Sequence, residues 1–238
     1  MTKLYITSTN RKEGKTFVTA GIAATLQGLG YKTSVYKPIQ TGGIEVNGFI
    51  QSPDLTFIKT IDPYINTYFS YIFKTKSEPL IAAENENEHI DIEFIHNEYN
   101  RITNISDFTV IDGDSGLLSP ISNSIQVIDM IKKLQVPTLF AITPNEDSIN
   151  NILLSIYTAK DRGLDVRGVI INNIKDNCSK ELLTSTTRII EEYSNVSVLG
   201  LIPHLGEKII PEELITSILN GIDIESIFKT KIEKLGLE

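Results

Sequence analysis

Apolar runs alternate with amphipathic stretches along almost the whole chain. Residues 4–6, 33–37, 108–111, 137–143, 168–173 and 196–203 lack strict period-two alternation, and each predicts a strand covered on both faces. Between them, apolar positions recur at helical spacing. Val18, Ile22, Leu26 and Leu29 predict a helix over 16–29, with Gly30 as its stop. Leu55, Ile58 and Ile61 predict the inner face of a second, starting after Ser52 and Pro53. Short helical segments follow at 80–84 and 92–102, then at 125–134. Ile152, Ile156 and Ala159 predict a helix that starts at 146–148 and stops at Gly163. Three more are expected over 179–193, 211–219 and about 224–235. Strand 33–37 should end at Pro38. Residues 42–53 and 62–76 carry neither period and are expected to be irregular. The rings of Tyr64, Tyr68, Phe69, Tyr71 and Phe73 read as packing, not as a platform for stacked bases. The alternation predicts one α/β domain over 1–238, doubly wound on a mainly parallel sheet.

Composition narrows the function. At 238 residues the chain can bury a full core, and 41% hydrophobic with 22% charged residues is ordinary for a globular protein. A net charge of −8 argues against a general nucleic-acid binder, which would show a basic face. An anionic substrate must therefore be held by local positive groups. Cys178 is the one cysteine, which excludes an internal disulfide and a multi-cysteine metal site; it reads as a small residue at a helix start. No signal peptide is evident, and no run approaches the roughly 18–20 apolar residues of a membrane span, so a soluble cytoplasmic protein is expected. The acidic stretch 84–93, with His89, reads as a solvated loop and not a metal site.

The candidate chemistry sits at strand ends. A polar loop over 8–13 follows the first strand, then Gly14-Lys15-Thr16 opens the first helix. Those are the parts of a phosphate-binding loop. Loop N–H groups and the helix N-terminus favour an anion, Gly14 allows close backbone approach, Lys15 reaches the β- and γ-phosphates, and Thr16 can ligate Mg²⁺. The full pattern asks for a glycine where Thr9 stands, so a turn with a solvated lysine is the other reading. Asp112, closing the strand at 108–111, has the position of a Walker B carboxylate that holds Mg²⁺, with Gly113 and Gly116 allowing close approach; a plain Asp-Gly turn is the alternative. Lys37 to Gly43, Asn172-Asn173 and Pro203-His204 also fall at carboxyl ends of strands, where doubly wound sheets bind ligands.

The order of these motifs resembles the ATP-dependent dethiobiotin synthetase family, of P-loop NTPase fold, over nearly the whole chain to about residue 220. That family's Tyr-Lys-Pro-x-x-[Ser/Thr]-Gly is matched by Tyr36, Lys37, Pro38, Thr41 and Gly42. Its Ser-x-Asp is matched by Ser52 and Asp54, and its Pro-x-x-Ala-Ala by Pro79, Ala82 and Ala83. Its Gly-x-x-x-Asn is matched by Gly168 and Asn172, and its Leu-Gly-x-Ile-Pro by Leu199, Gly200, Ile202 and Pro203. The resemblance implies a homodimeric ligase acting on 7,8-diaminopelargonate, CO₂ and MgATP. It implies Lys15 and Lys37 as catalytic residues, with Lys37 on the carbamate. Thr16, Asp54 and Asp112 would surround Mg²⁺. Lys12, Glu13, Gly14, Phe17, Gly113, Asp114 and Ser115 would complete the phosphate side of the ATP site. Asn172, Asn173, Pro203, His204 and Leu205 would form the adenine pocket, and Thr41, Ser148 and Asn150 would bind the substrate.

Two loops depart from the family pattern. Ser8, Arg11 and Lys12 replace a glycine, a threonine and a glutamate, while Asp112, Asp114 and Ser115 replace a glutamate, a small residue and a glycine. A charge swap pairing Arg11 or Lys12 with Asp114 would reconcile the two. The other readings are a cyclo-ligase paralogue with a different small substrate, and a P-loop ATP-binding switch. The switch would want a second lysine in its loop, where Asn10 stands.

Overall fold

The structure is a computed structural model and describes residues 2–10, 12–114, 116–144 and 148–233. In chain order the elements are β1 (Thr2–Thr7), α1 (Lys15–Gly28), β2 (Thr33–Thr41), β3 (Ile44–Val46), β4 (Phe49–Gln51), α2 (Pro53–Ile61) and β5 (Asn66–Phe73). They continue with α3 (Pro79–Asn85), α4 (Ile92–Asn104), β6 (Phe108–Asp112), α5 (Val127–Leu134), β7 (Thr138–Ile142) and α6 (Ile149–Asp161). The last are β8 (Val166–Ile174), α7 (Lys180–Ser194), β9 (Val198–Pro203), α8 (Pro211–Gly221) and α9 (Ile224–Phe228).

Seven strands form one parallel sheet in the order β5-β2-β6-β1-β7-β8-β9. Because helices cover both faces, central strands are buried along their length: every residue of β2, β6 and β7 is buried. The sheet divides two apolar clusters. One, around Tyr36, Ile95, Ile131, Phe140 and Ile156, packs α3 to α7 on one face. The other, around Ile6, Val18, Ile22, Ile58 and Ile218, packs α1, α2, α8 and α9 on the opposite face. Helix starts follow local chemistry: Pro53, Pro79 and Pro211 open α2, α3 and α8, and the Ser52 and Ser179 hydroxyls accept the N–H of Leu55 and Leu182.

Four expectations are corrected. β2 runs through Pro38 to Thr41 instead of stopping. Its pairing with β6 ends at Tyr36 while that with β5 continues to Thr41, so a residue without an N–H is tolerated where one side of the strand is open. Residues 42–53 are not irregular: β3 and β4 form an antiparallel hairpin, turned by Asn47 and Gly48 at φ 52° and 81°. Residues 62–76 contain β5, the edge strand. The helix expected over about 224–235 stops at Phe228, where Lys229 takes a left-handed φ of 50°, while the predicted start of α6 at 146–147 and the residues beyond 233 lie outside the described residues. Among those described, no helix is long and apolar enough to cross a membrane, and no group of three or more His, Cys, Asp or Glu is arranged to hold a metal.

Candidate active site

β1 lies at the sheet centre between β6 and β7, and the loop that follows it is the hub of the site. Gly14 caps α1 in the left-handed region at φ 78°, and a Cβ there would lie 2.0 Å from Asn172 Nδ2. Glycine is thus required twice over, by conformation and by space. Lys15 is buried and donates to Ser8 Oγ at 2.8 Å. Burial, aided by the charge of Lys37, pulls the Lys15 ammonium below the ordinary lysine range; Asp112, Asp114 and Glu13 offset only part. A buried cation held in this state favours an arriving anion.

Across from the loop, Lys37 is the most enclosed cation of the site. Its Nζ lies 2.7 Å from Asp54 Oδ2 and 2.9 Å from Asp112 Oδ2, and donates to Gly113 O at 3.1 Å. Burial alone would lower its pKa, but Asp112, Asp54 and Asp114 together hold it above the usual lysine range. Asp112 is fully buried; burial raises its carboxyl, and Lys37 counters that. Its oxygens also accept from Thr16 Oγ1 at 3.0 Å and Thr19 Oγ1 at 3.2 Å. Carboxylates from α2 and β6 therefore converge on a single cation beside the Thr16 hydroxyl. Two carboxylates and a hydroxyl are hard oxygen donors of the kind Mg²⁺ takes alongside phosphate and water, so this set fits the ion.

Two cavities meet at the loop and share Lys12 and Gly14. The first, about 190 Å³, is lined by Phe17, Asn172, Asn173, Pro203, His204, Leu205, Gly206 and Ile209. It is mostly apolar with one directed polar group. Asn172 Nδ2 donates to Glu13 O at 3.2 Å, while its Oδ1 is buried with no hydrogen-bond partner among the described residues. A buried acceptor left without a partner beside this cavity can take an N–H from a ligand. Asn173, at φ 58°, turns its side chain to His204 Nδ1 at 2.7 Å and so ties the ends of β8 and β9 together.

The second cavity, about 400 Å³, is lined by Lys15, Thr16, Lys37, Gln40, Thr41, Pro53, Asp54, Lys76, Gly113 and Asp114 among others. The loop and β2 thus face one space. Of the residues singled out from the sequence, Ser148 and Asn150 stand apart. They flank the start of α6, one buried and one exposed, and line neither cavity. Ser115 and Arg11 lie outside the described residues. Among the described residues Asp114 meets Thr41 and Lys37. Lys12 lines the same cavity, and no ion pair between Lys12 and Asp114 forms among the described residues. Glu13 turns back into its own loop, accepting from the N–H groups of Thr9 and Asn10. Sequence reading missed Thr19 and Lys76. Thr19 could have been found, being one turn of α1 beyond Thr16; Lys76 carries no signal.

The family model described as an AAA domain matches residues 2–210. The ATP-dependent dethiobiotin synthetase BioD of Bacillus cereus (strain B4264) is 30% identical over 227 residues, 95% of this chain and 93% of the relative. In fold the chain resembles MinD of the Aquifex aeolicus MinC:MinD cell division complex, with TM-score 0.58, 16% identity, and coverage of 92% of this chain and 88% of the other. It likewise resembles the septum site-determining protein MinD complexed with Mg-ADP from Pyrococcus horikoshii OT3, with TM-score 0.57, 16% identity, and coverage of 91% and 86%. At that identity the MinD likeness speaks for the fold alone.

Proposed function

The chain belongs to the ATP-dependent dethiobiotin synthetase family, and on that premise we propose that it joins 7,8-diaminopelargonate and CO₂ at the expense of ATP, giving dethiobiotin, ADP and phosphate. The observation that carries this reading is the second buried lysine. Lys37 and Thr41 of β2 enter the same cavity as Lys15 and Thr16 of the phosphate loop. Hydrolysis of ATP alone has no use for a buried ammonium on the far side of the phosphates, whereas a carbamate anion that must meet the γ-phosphoryl group does.

In this reading the first substrate amine adds to CO₂, and its carbamate lies against Lys37, which offsets the new charge. Lys37 gives its three N–H bonds to Asp54, Asp112 and Gly113 O, so the carbamate replaces one of these partners. Asp54, 28% exposed against none for Asp112, is the one placed to give way. Lys15 stabilises the phosphoryl group as it passes to the carbamate oxygen. The second amine then attacks the mixed anhydride and closes the cyclic urea with loss of phosphate. Thr16, Asp54 and Asp112 would hold Mg²⁺, which supplies charge neutralisation at the phosphates. Asn172 Oδ1 takes the adenine amino group between Phe17, Pro203 and Leu205. Thr41 orients the substrate. Ser148 and Asn150, away from both cavities, suit the far carboxylate of a long substrate across a homodimer interface. The chain would act as one ligase unit in the cytoplasm.

The test is ADP release by the purified protein with MgATP and bicarbonate, with and without 7,8-diaminopelargonate. Diamine-dependent ADP release matched by dethiobiotin is expected. ATP binding without diamine-dependent turnover would overturn the reading.

A further inference from the structure

We propose that Asp114 is the amine-binding carboxylate of this site, the group that selects a substrate with two neighbouring nitrogens. The inference rests on the reaction proposed above. Three carboxylates surround Lys37, and they are not equivalent. Asp112 is fully buried and already accepts from Thr16, Thr19 and Lys37, so it offers no oxygen to a substrate amine. Asp54 is in direct contact with Lys37 at 2.7 Å and belongs to the oxygen set that suits a metal. Asp114 stands at 3.9 Å from Lys37, too far for a direct hydrogen bond, and is 13% exposed toward the cavity.

Its position is set by Thr41, whose hydroxyl donates to Asp114 Oδ2 at 2.9 Å. That bond uses one oxygen and aims the other, Oδ1, along the line to Lys37. The result is a neighbouring pair of opposite charges in one cavity, an ammonium and a carboxylate. A vicinal diamine that has taken up CO₂ on one nitrogen presents the matching pair: an anionic carbamate, and on the adjacent carbon an amine or ammonium. With the carbamate on Lys37, the second nitrogen falls beside Asp114, which accepts its N–H. A carboxylate there also keeps a monoamine carbamate from binding equally well, since Asp114 would then be left facing an apolar carbon.

The experiment is calorimetric titration of the full-length protein in bicarbonate buffer, without ATP, with 7,8-diaminopelargonate and with 8-aminopelargonate, for wild type, Asp114→Asn and Asp114→Ala. The asparagine keeps an oxygen to accept from Thr41 and loses only the charge. Wild type is expected to bind the diamine at least about tenfold more tightly than the monoamine, as an ionic hydrogen bond warrants. Both variants should lose about that factor for the diamine and leave monoamine affinity where wild type has it, with the asparagine variant still folded by thermal melt. Equal diamine affinity in wild type and Asp114→Asn, or no diamine binding by wild type, would overturn the inference. Dethiobiotin formation by wild type is scored separately. A protein that binds diamine through Asp114 yet makes no dethiobiotin upholds the inference and defeats the reaction.

Discussion

Replacing Lys37 by methionine should cost stability as well as activity, and the structure sets the size of the loss. The ammonium is 1% exposed and neutralises Asp112, which is fully buried. Removing one partner of a buried ion pair costs about 3–5 kcal/mol, because the remaining charge is stranded. Thr16 and Thr19 still donate to Asp112, and Asp54 can turn to water, so a value near the lower end, on the order of 3 kcal/mol, is expected. For a chain of this size that corresponds to a fall in melting temperature of roughly 6–12 °C. Two controls follow. Lys37→Met with Asp112→Asn should recover most of the loss, since the stranded charge is gone. Acid should also help the single variant more than wild type. Burial already raises the Asp112 carboxyl and Lys37 opposes it, so removing Lys37 raises it further. A folded-state pKa above the unfolded one means that the folded state holds its proton more tightly. The variant's relative stability is then greatest at low pH and falls as pH rises through the folded pKa. Thermal melts of the three proteins without Mg²⁺, at about pH 5.5 and pH 8, supply the assay. A single variant melting within about 2 °C of wild type at both values would refute the buried-pair account.

Other outcomes can be checked alongside. Gly14→Ala should lower ATP affinity by about a hundredfold, roughly 2.7 kcal/mol, because the left-handed φ and the contact with Asn172 must both yield; equilibrium dialysis reads this directly. Asn172→Leu should cost ATP about tenfold in affinity while leaving GTP binding nearly unchanged, since adenine presents an amino donor at C6 where guanine presents a carbonyl; competition titrations decide it. ATP affinity should fall with rising pH. The free Lys15 pKa lies below the ordinary lysine value, and phosphate raises it, so binding takes up a proton between the free and bound values. Calorimetry from about pH 7 to pH 10 in buffers of different ionisation enthalpy should show that uptake, and Lys15→Met should abolish it.

The central layers were legible because burial on both faces leaves an unmistakable apolar run, as in β6 and β7. What escaped lies where that constraint lapses. β5 is an edge strand whose residues are mostly half-exposed, so its rings carry no clean period. β3 and β4 bury almost nothing; Ile44 and Phe49 face outward, and only the Asn47-Gly48 turn could have announced them. The same division holds in the site. Residues whose backbone positions them at strand ends, such as Lys37, Asp112 and Asn172, could be found from the topology alone. Lys76, brought in from the loop after β5, could not.

The loop that lacks its first consensus glycine shows how a departure from pattern can be absorbed. In that pattern a glycine five residues before Gly14 eases the chain into its turn; here Thr9 stands there, and a side chain does the shaping. Glu13 accepts from the N–H of Thr9 and of Asn10, and from the Thr9 hydroxyl, all within 3.0 Å. Those amides are satisfied inside the loop and need no ligand. Lys12, Gly14, Lys15 and Thr16 are left to line the cavity. The negative charge of Glu13 is thus held by the loop's own backbone and lines neither cavity, while Lys12 lines both. A glutamate in the middle of a phosphate loop, which taken alone argues against phosphate binding, becomes compatible with it once its carboxylate is seen to be spent on the loop's own backbone.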